Sequence, residues 1–290
     1  MSKITINQEF CKKCDICVRI CPADIFVQTE KATIPELIHE ELCISCGHCV
    51  AICPQGAISH IDFPPGSIKP INQELIPSIE QITELLNARR SIREFKDKPV
   101  EKDLIEKIID GARFAPSAHN TQSTEFVVVQ DKEVLNKITE LTTHFLNKII
   151  KQFSNPMLKK FFLLVARDET EGAIDLLPLF KVYVKNVEDG KDVILHNAPV
   201  LLIFHAKRNV IFSSVNANLV LQNASLIAEG LGLGSFYGGF VIAACERDNS
   251  IQKLLSIPGT HKIYAVMALG YPKFEYNNWI EKRSPKIEWK

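Results

Sequence analysis

The N-terminal region is defined by two stretches, CKKCDICVRICP at residues 11–22 and CISCGHCVAICP at residues 43–54. Both follow the spacing Cys-x2-Cys-x2-Cys-x3-Cys-Pro. Each cysteine of the first stretch recurs 32 residues later, so the pair is a duplicated supersecondary unit. Eight of the nine cysteines lie in these two stretches. This concentration of thiols at regular spacing predicts iron–sulfur centres and a role in handling electrons.

Three closely spaced thiolates can hold three corners of a cubane cluster while the fourth points away from it. Residues 1–60 resemble the bacterial two-cluster ferredoxins, in which the fourth cysteine of each run ligates the other cluster. The resemblance implies two [4Fe–4S] clusters with crossed ligand sets. One set would be Cys11, Cys14, Cys17 and Cys53, and the other Cys43, Cys46, Cys49 and Cys21.

Zinc and disulfides are the alternatives for these cysteines. Structural zinc prefers thiolates grouped as separated pairs, which differs from runs of three close cysteines and an offset fourth. The first residues, MSKITINQEF, show no charged segment followed by an apolar leader. We therefore expect a cytoplasmic protein in a reducing compartment, where disulfides are rare.

The charge and hydropathy of the chain exclude two classes of partner. Lys+Arg and Asp+Glu number 34 each, so the formal net charge is zero, and no long basic run is visible. We expect no nucleic-acid partner. The longest apolar stretches, residues 161–166 and 200–204, are far shorter than the roughly 20 residues of a membrane span. We expect no membrane partner either.

A second domain follows the cysteine region. Residues 61–77 contain Pro64, Pro65, Gly66, Pro70 and Pro77, which interrupt any periodic pattern and predict a stiff linker. The predicted organisation is a cluster domain at 1–60, a linker at 61–77 and a larger domain at 78–290. Ser78 and Gln81 predict a capping box that starts the first helix of the larger domain.

That helix leads into the sequence RRSIREF at residues 89–95. Three guanidinium groups and a hydroxyl within five residues are suited to bind a phosphate with bidentate hydrogen bonds. The alternative is a solvated helix end, since cations are favoured at a helix C-terminus.

Several later segments resemble, in order, the nitroreductase family of FMN-dependent reductases. They are the Arg-x-Ser-x-Arg element of residues 89–93, the loop APSAHNTQ at 115–122 and the valine-rich strand at 125–130. The second half continues with HNAPVLLIFHAK at 196–207, an apolar helix at about 214–231, SFYGGF at 235–240 and a strand at 262–269.

The resemblance implies an FMN site. Arg89, Ser91 and Arg93 would contact its phosphate and ribityl chain, with Arg90 and Ser117 close by, and Asn120 would reach the pyrimidine side of the ring. A backbone N–H near Gly238 and Gly239 would face the ring nitrogen, since glycine permits close approach. Arg283 would supply a late phosphate contact. No catalytic acid–base pair is predicted.

Some positions depart from the family pattern or stay unassigned. Ser123 and Thr124 stand where many members have Pro-Trp. Residues 135–190 are predicted to form helices at 134–153 and 156–167 with a loop at 172–178, either packing in the domain or covering the flavin pocket. Two roles stay open for His119: a structural role in its loop, or contact with the cofactor or substrate. Tyr237 either lines the pocket or has a structural role. Cys245 is predicted to be a buried small side chain.

The predicted fold is α+β, with a mostly antiparallel sheet flanked by helices in the larger domain, and the resemblance implies a homodimer. The predicted function is relay of electrons from a ferredoxin-type donor through two [4Fe–4S] clusters to FMN, which reduces a nitroaromatic, quinone or similar electron-poor small molecule. The alternatives are a flavin enzyme that takes electrons from NAD(P)H and passes them out through the clusters, and a non-enzymatic carrier or redox sensor.

Overall fold

The computed structural model describes residues 2–290 and divides them into two compact units. The first unit runs to Pro77 and also takes in Ala118–Thr121. The second comprises Ser78–Ser117 and Gln122–Lys290. Residues 61–77, expected to be a linker, make their contacts with the first unit.

The first unit repeats one small element twice. Helix α1 (Ile16–Ile20) and helix α2 (His48–Ile52) are each five residues long and lie 32 positions apart. Both follow a residue with left-handed backbone, Asp15 at φ 57° and Gly47 at φ 73°. The duplication in sequence is therefore also a duplication of local structure.

Two short antiparallel sheets complete the first unit. Strand β1 (Ile4–Ile6) pairs with β4 (Ile58–His60), and β2 (Phe26–Val27) pairs with β3 (Glu36–Leu37). The small core between these elements contains Ile4, Ile25, Phe26, Cys49, Val50 and Ile58. Cysteines thus contribute directly to the packing of this unit.

The second unit is built on a four-stranded antiparallel sheet in the order β5-β6-β8-β7. Its strands are β5 (Glu125–Val129), β6 (Val200–Lys207), β7 (Gly234–Tyr237) and β8 (His261–Gly270). Its helices are α3 (Ile79–Ala88), α4 (Lys102–Ala112), α5 (Lys132–Ser154), α6 (Pro156–Val165), α7 (Arg167–Glu188), α8 (Ser213–Gly230), α9 (Gly239–Arg247) and α10 (Ser250–Leu254).

Helices cover both faces of this sheet. Alternate residues of β6 belong to two apolar clusters: Leu201 and Ile203 pack toward α5, α7 and α9, while Val200, Leu202 and Phe204 pack toward α4 and α8. A strand buried on both faces reads as a continuous apolar run. The mixed helix-and-strand fold with an antiparallel sheet confirms the predicted α+β class.

The capping box predicted at the start of α3 is confirmed. Ser78 Oγ accepts a hydrogen bond from the Gln81 N–H at 3.3 Å, and Gln81 Oε1 accepts one from the Ser78 N–H at 2.9 Å. The two bonds satisfy donors that a helix start leaves unpaired.

The loop predicted at residues 172–178 is wrong, because α7 runs through it from Arg167 to Glu188 and contains Pro178. Proline removes one intrahelical hydrogen bond. The helix is instead anchored by packing, since Phe180 and Val184 are buried in the core beside α5. Apolar burial one turn beyond the proline outweighs the local breaker signal on which the sequence prediction relied.

Across residues 2–290, every helix is too short or too polar to cross a lipid bilayer.

Candidate functional site

The cysteines of the first unit line two separate cavities. One is lined by Cys11, Cys14, Cys17 and Cys53, and the other by Cys21, Cys43, Cys46 and Cys49. Each cavity therefore receives three cysteines from one run and the fourth cysteine of the other run. The structure brings together the two crossed sets that the sequence suggested.

The thiols of each set lie close enough to influence one another. Burial, with smaller contributions from the neighbouring Cys46, Cys21 and Cys43, raises the pKa of the Cys49 thiol to about 11. Burial likewise raises the pKa of Cys17, with Cys11 and Cys14 adding to the effect. Clustered thiolates repel one another and are stabilised by a bound cation, which holds coordinating thiols deprotonated. All eight are free thiols, so the donor set fits iron–sulfur clusters.

His60 contacts one cluster ligand. Its Nδ1 accepts a hydrogen bond from the Asp62 N–H at 3.0 Å, which leaves Nε2 as the ring nitrogen that can donate. This Nε2 lies 3.5 Å from Cys43 Sγ, within the range of an N–H···S hydrogen bond. The first repeat has Gln28 at the equivalent position, and its amide donates to the Thr33 carbonyl instead. The two cavities therefore differ in the hydrogen bonding of their sulfurs.

In the second unit, the arginine-rich stretch runs beside β7. Ile92 donates its backbone N–H to the Ser235 carbonyl oxygen at 3.0 Å, and Ser91 bridges Ser235 in a parallel arrangement. The Arg93 guanidinium lies 5.7 Å from the centre of the Phe236 ring. Strand β7, which ends at Tyr237, thus holds residues 91–93 along its length.

Gly234 makes this approach possible. A Cβ at position 234 would lie 2.6–2.7 Å from three side-chain carbons of Ile92. Such a distance is far inside van der Waals contact, so the arginine stretch can pack on β7 at this point only against a glycine.

Gly238 and Gly239 differ in the hydrogen bonding of their backbone N–H groups. Gly238 donates its N–H to the Val266 carbonyl at 2.8 Å, so this group is engaged within the sheet. Gly239 begins α9, whose first-turn N–H groups have no intrahelical acceptor. The N–H groups at the start of α9, and not that of Gly238, are therefore the ones free to face a ligand.

Arg90 carries an unsatisfied donor. Its Nη2 donates to the Asn278 carbonyl at 3.2 Å, and its guanidinium lies 5.1 Å from the centre of the Tyr276 ring. Its Nε is buried and has no hydrogen-bond partner within residues 2–290. Buried donors are nearly always paired in native proteins, so this one fits an acceptor such as a phosphate oxygen. Arg283 lies in the exposed C-terminal extension.

The loop expected to contact the flavin is held by two separate sets of bonds. Ser117 Oγ accepts a hydrogen bond from the Gln122 N–H at 3.0 Å and so closes the loop. Asn120, at φ 51°, belongs to the first unit by its contacts, and its amide donates to the Ser45 carbonyl at 2.7 Å. Its side-chain amide is thus engaged by the second cysteine run, residues 43–54. Contact of Asn120 with a flavin stays a prediction.

Three further residues named in the sequence analysis, His119, Tyr237 and Cys245, differ in their exposure to solvent. His119 is exposed and has a left-handed backbone, at φ 52°. Tyr237 is 47% exposed at the end of β7. Cys245 is buried on α9, as predicted, and burial raises its pKa to about 12.

Comparison with known families decides the classification. Residues 86–271 match the model described as the nitroreductase family, which spans more than half of the chain. The chain belongs to the nitroreductase family. Residues 10–58 match the 4Fe-4S dicluster domain. Both predicted resemblances are confirmed, and this family member is an oxidoreductase of the nitroreductase type that carries a dicluster domain.

Similar proteins agree with this classification. A putative NADH dehydrogenase/NAD(P)H nitroreductase of Archaeoglobus fulgidus is 28% identical over 202 residues, which cover 68% of this chain and 88% of that protein. An FMN reductase [NAD(P)H] of Bacillus subtilis is 26% identical over 196 residues, which cover 67% of each chain. The solved structure of a nitroreductase with bound FMN from Desulfitobacterium hafniense has the same fold. It superposes with a TM-score of 0.52 at 17% identity, over 71% of this chain and 97% of that one.

Sequence reasoning missed two residues beside these sites in this nitroreductase-family chain. In the sequence, His60 lies between the second cysteine run and the proline-rich stretch. It lies on β4, whose pairing with β1 positions it beside Cys43. His196 packs edge-on against Phe236, with ring centres 5.3 Å apart. Burial lowers the pKa of His196, and the nearby Arg93 charge lowers it further while Asp192 opposes the shift. The HNAP sequence that contains His196 was the available signal.

Proposed function

We propose that this nitroreductase-family protein is an FMN-dependent reductase that receives electrons from a ferredoxin-type donor through two [4Fe–4S] clusters. The acceptor is a nitroaromatic, a quinone or a similar electron-poor small molecule. The single observation that carries the proposal is the presence, in one chain, of two four-cysteine cavities and of an arginine stretch bound along β7. FMN, when bound, accepts electrons singly and delivers them in pairs, which suits a junction between clusters and an organic acceptor.

The residues proposed to hold FMN supply complementary charge. Arg89, Ser91 and Arg93 offer the phosphate guanidinium and hydroxyl donors, and Arg90 offers its unpaired buried Nε. The first-turn N–H groups of α9, beginning at Gly239, offer partial positive charge to an electron-rich ring. The solved neighbour with bound FMN supports this cofactor.

The residues proposed to hold the clusters are the eight cysteines in their two sets. Each set presents four thiols to one cavity, and the small apolar core around Ile4, Ile25 and Val50 packs beside several of them. The His60 hydrogen bond to Cys43 would stabilise added negative charge on one cluster and not on the other. The other set has N–H···S contacts of its own, since the backbone N–H groups of Lys13 and Ala57 lie 3.4 Å from Cys11 Sγ and 3.2 Å from Cys53 Sγ. The two clusters would therefore differ in the kind of hydrogen bond that their sulfurs receive.

We also propose a homodimer. The apolar face of α3 is uncovered, with Ile79 69% and Leu86 50% exposed, and Trp289 of the C-terminal extension is 91% exposed. Exposed apolar surface of this extent is typical of interaction sites. We propose that a second copy of the chain packs against this surface. Analytical ultracentrifugation at several protein concentrations tests the dimer.

A second candidate uses NAD(P)H as the reductant of the flavin, with electrons leaving through the clusters. It is favoured by two similar proteins, an NAD(P)H nitroreductase of Archaeoglobus fulgidus and an FMN reductase of Bacillus subtilis, whose names both specify NAD(P)H. Nine free thiols suit a reducing compartment, and we propose the cytoplasm for either version.

The deciding experiment is anaerobic purification with iron, sulfide and FMN counted per chain, followed by stopped-flow reduction. Reduced ferredoxin and NAD(P)H are offered separately, and the flavin absorbance is followed. Rapid reduction by ferredoxin supports the first candidate. Rapid reduction by NAD(P)H, with none by ferredoxin, supports the second. Purified protein without FMN but with filled clusters would contradict both.

A further inference from the structure

Three potential metal ligands lie on one face of the sheet, at one edge of the second unit. Glu125 of β5 is directly opposite His205 of β6. A register shift after Phe204 sets His205 opposite Ile263 of β8, so His261, two residues before Ile263, is its diagonal neighbour on the same face. The bulge is the feature that aligns two histidines from different strands with the glutamate.

The donor atoms of these side chains converge. His205 Nδ1 and His261 Nδ1 are 3.0 Å apart, and His261 Nδ1 is 3.9 Å from Glu125 Oε1. One donor atom from each of the three residues lies within 4.8 Å of the other two. Two imidazoles and one carboxylate converging on a point form a donor set typical of zinc sites.

The burial of the three side chains is unequal. His205 is 5% and His261 4% exposed, whereas the Glu125 side chain is 57% exposed. Burial lowers the pKa of His205, with Glu125 opposing the shift and His261 adding to it. A metal held here would be anchored by buried ligands and approached from the solvent side at Glu125.

We propose that Glu125, His205 and His261 form a binding site for a divalent transition metal, best matched by Zn²⁺. The metal would cross-link β5, β6 and β8, with water completing its coordination. This site is distinct from the cysteine cavities and from residues 89–93.

The required adjustment is small. Zinc lies about 2.0–2.2 Å from nitrogen and oxygen ligands, so tetrahedral donors are roughly 3.3–3.5 Å apart. The two Nδ1 atoms would therefore separate by about 0.3 Å, and the Glu125 carboxylate would move about half an ångström closer to His261 Nδ1. Its separation from the His205 donor atom, which is within 4.8 Å, would shorten by up to about 1.4 Å. The exposed glutamate has the freedom to do so.

The test uses the full chain with its clusters intact, purified anaerobically and equilibrated with one equivalent of Zn²⁺. Zinc and iron are counted in the same desalted sample, because cysteines that lose iron bind zinc themselves. We expect about one zinc per chain with iron unchanged. Glu125→Gln and His261→Gln should weaken zinc binding by more than about tenfold, since the loss of an outer-shell partner alone costs 10–100-fold.

The control is His144→Gln, which removes an exposed histidine of α5 and should bind zinc as the wild type does. Glu125 is exposed, so Glu125→Gln reports on the site even if the buried histidine variant fails to fold. A second readout is the thermal midpoint, which Zn²⁺ should raise in the wild type and in His144→Gln only. Equal zinc in the wild type and Glu125→Gln, or no zinc retained by the wild type, overturns the proposal and leaves the histidines as a hydrogen-bonded pair.

Discussion

Ile92 and Ser235 are joined by a backbone hydrogen bond of 3.0 Å that ties the arginine stretch to strand β7. The bond spans 143 positions of the chain and lies where Gly234 leaves no Cβ between the two backbones. This contact holds the basic residues beside β7, the strand that is followed by α9.

Replacing Gly234 with alanine should disturb this contact. The added Cβ would overlap the branched Ile92 side chain, and overpacking of this kind costs about 1–3 kcal/mol. We expect a lower thermal midpoint and lower FMN content than in the wild type. Gly230→Ala is the matched control, because a Cβ there meets open space. Equal behaviour of the two variants would contradict the packing argument.

Arg93→Ala should weaken FMN binding. A hydrogen bond to a charged group contributes about 1.5–3 kcal/mol, which corresponds to a roughly 13- to 160-fold rise in Kd. Fluorescence titration of FMN into flavin-depleted protein measures it. Arg247→Ala, on the exposed last turn of α9, serves as the control and should leave the Kd unchanged.

His60→Gln should lower the midpoint potential of one cluster. Loss of the hydrogen bond to Cys43 removes stabilisation from the more negative, reduced state. A bond of about 0.5–1.5 kcal/mol corresponds to roughly 20–60 mV for one electron. Redox titration followed by electron paramagnetic resonance should show one shifted and one unshifted cluster. His48→Gln, an exposed histidine of α2, should shift neither, and equal shifts of both clusters in His60→Gln would refute the assignment.

Asn120→Asp distinguishes two roles of the loop. The substitution removes the amide donor to the Ser45 carbonyl and sets a carboxylate against that oxygen. We expect faster loss of iron on exposure to a chelator, with FMN content unchanged. Loss of FMN with iron retained would instead support contact of Asn120 with the flavin. His119→Asn, next to it and exposed, is the control.

Cys245 should resist alkylation. Its pKa of about 12 means that the thiolate is scarce at pH 8, and its burial denies access to reagent. Below the pKa the thiolate fraction rises tenfold per pH unit, so any residual reaction should increase from pH 7 to pH 9. Mass spectrometry of cluster-replete protein after iodoacetamide treatment measures the modification. Rapid alkylation at pH 7 would contradict the buried placement.

The predictions from sequence were most successful where neighbours along the chain decide the structure. The Ser78–Gln81 capping box depends on residues three positions apart. The duplicated unit was predicted from the repeated cysteine spacing, and the structure shows it as the matching helices α1 and α2. Residues 172–178 were predicted wrongly because Gly172 and Pro178 are local breaker signals, whereas the packing of Phe180 and Val184 is a tertiary effect.

The sequence by itself determined the two domain families and the three closely spaced thiols of each run, because short spacing keeps such groups together. The fourth thiol of each set, which comes from the other run, followed from the resemblance to two-cluster ferredoxins. Only the tertiary structure placed His60 on Cys43, Asn120 on Ser45 and His205 beside His261. These pairs join residues 17 to 75 positions apart. Strand register, a β-bulge and loop packing set such distances, and none of these leaves a periodic signal along the chain.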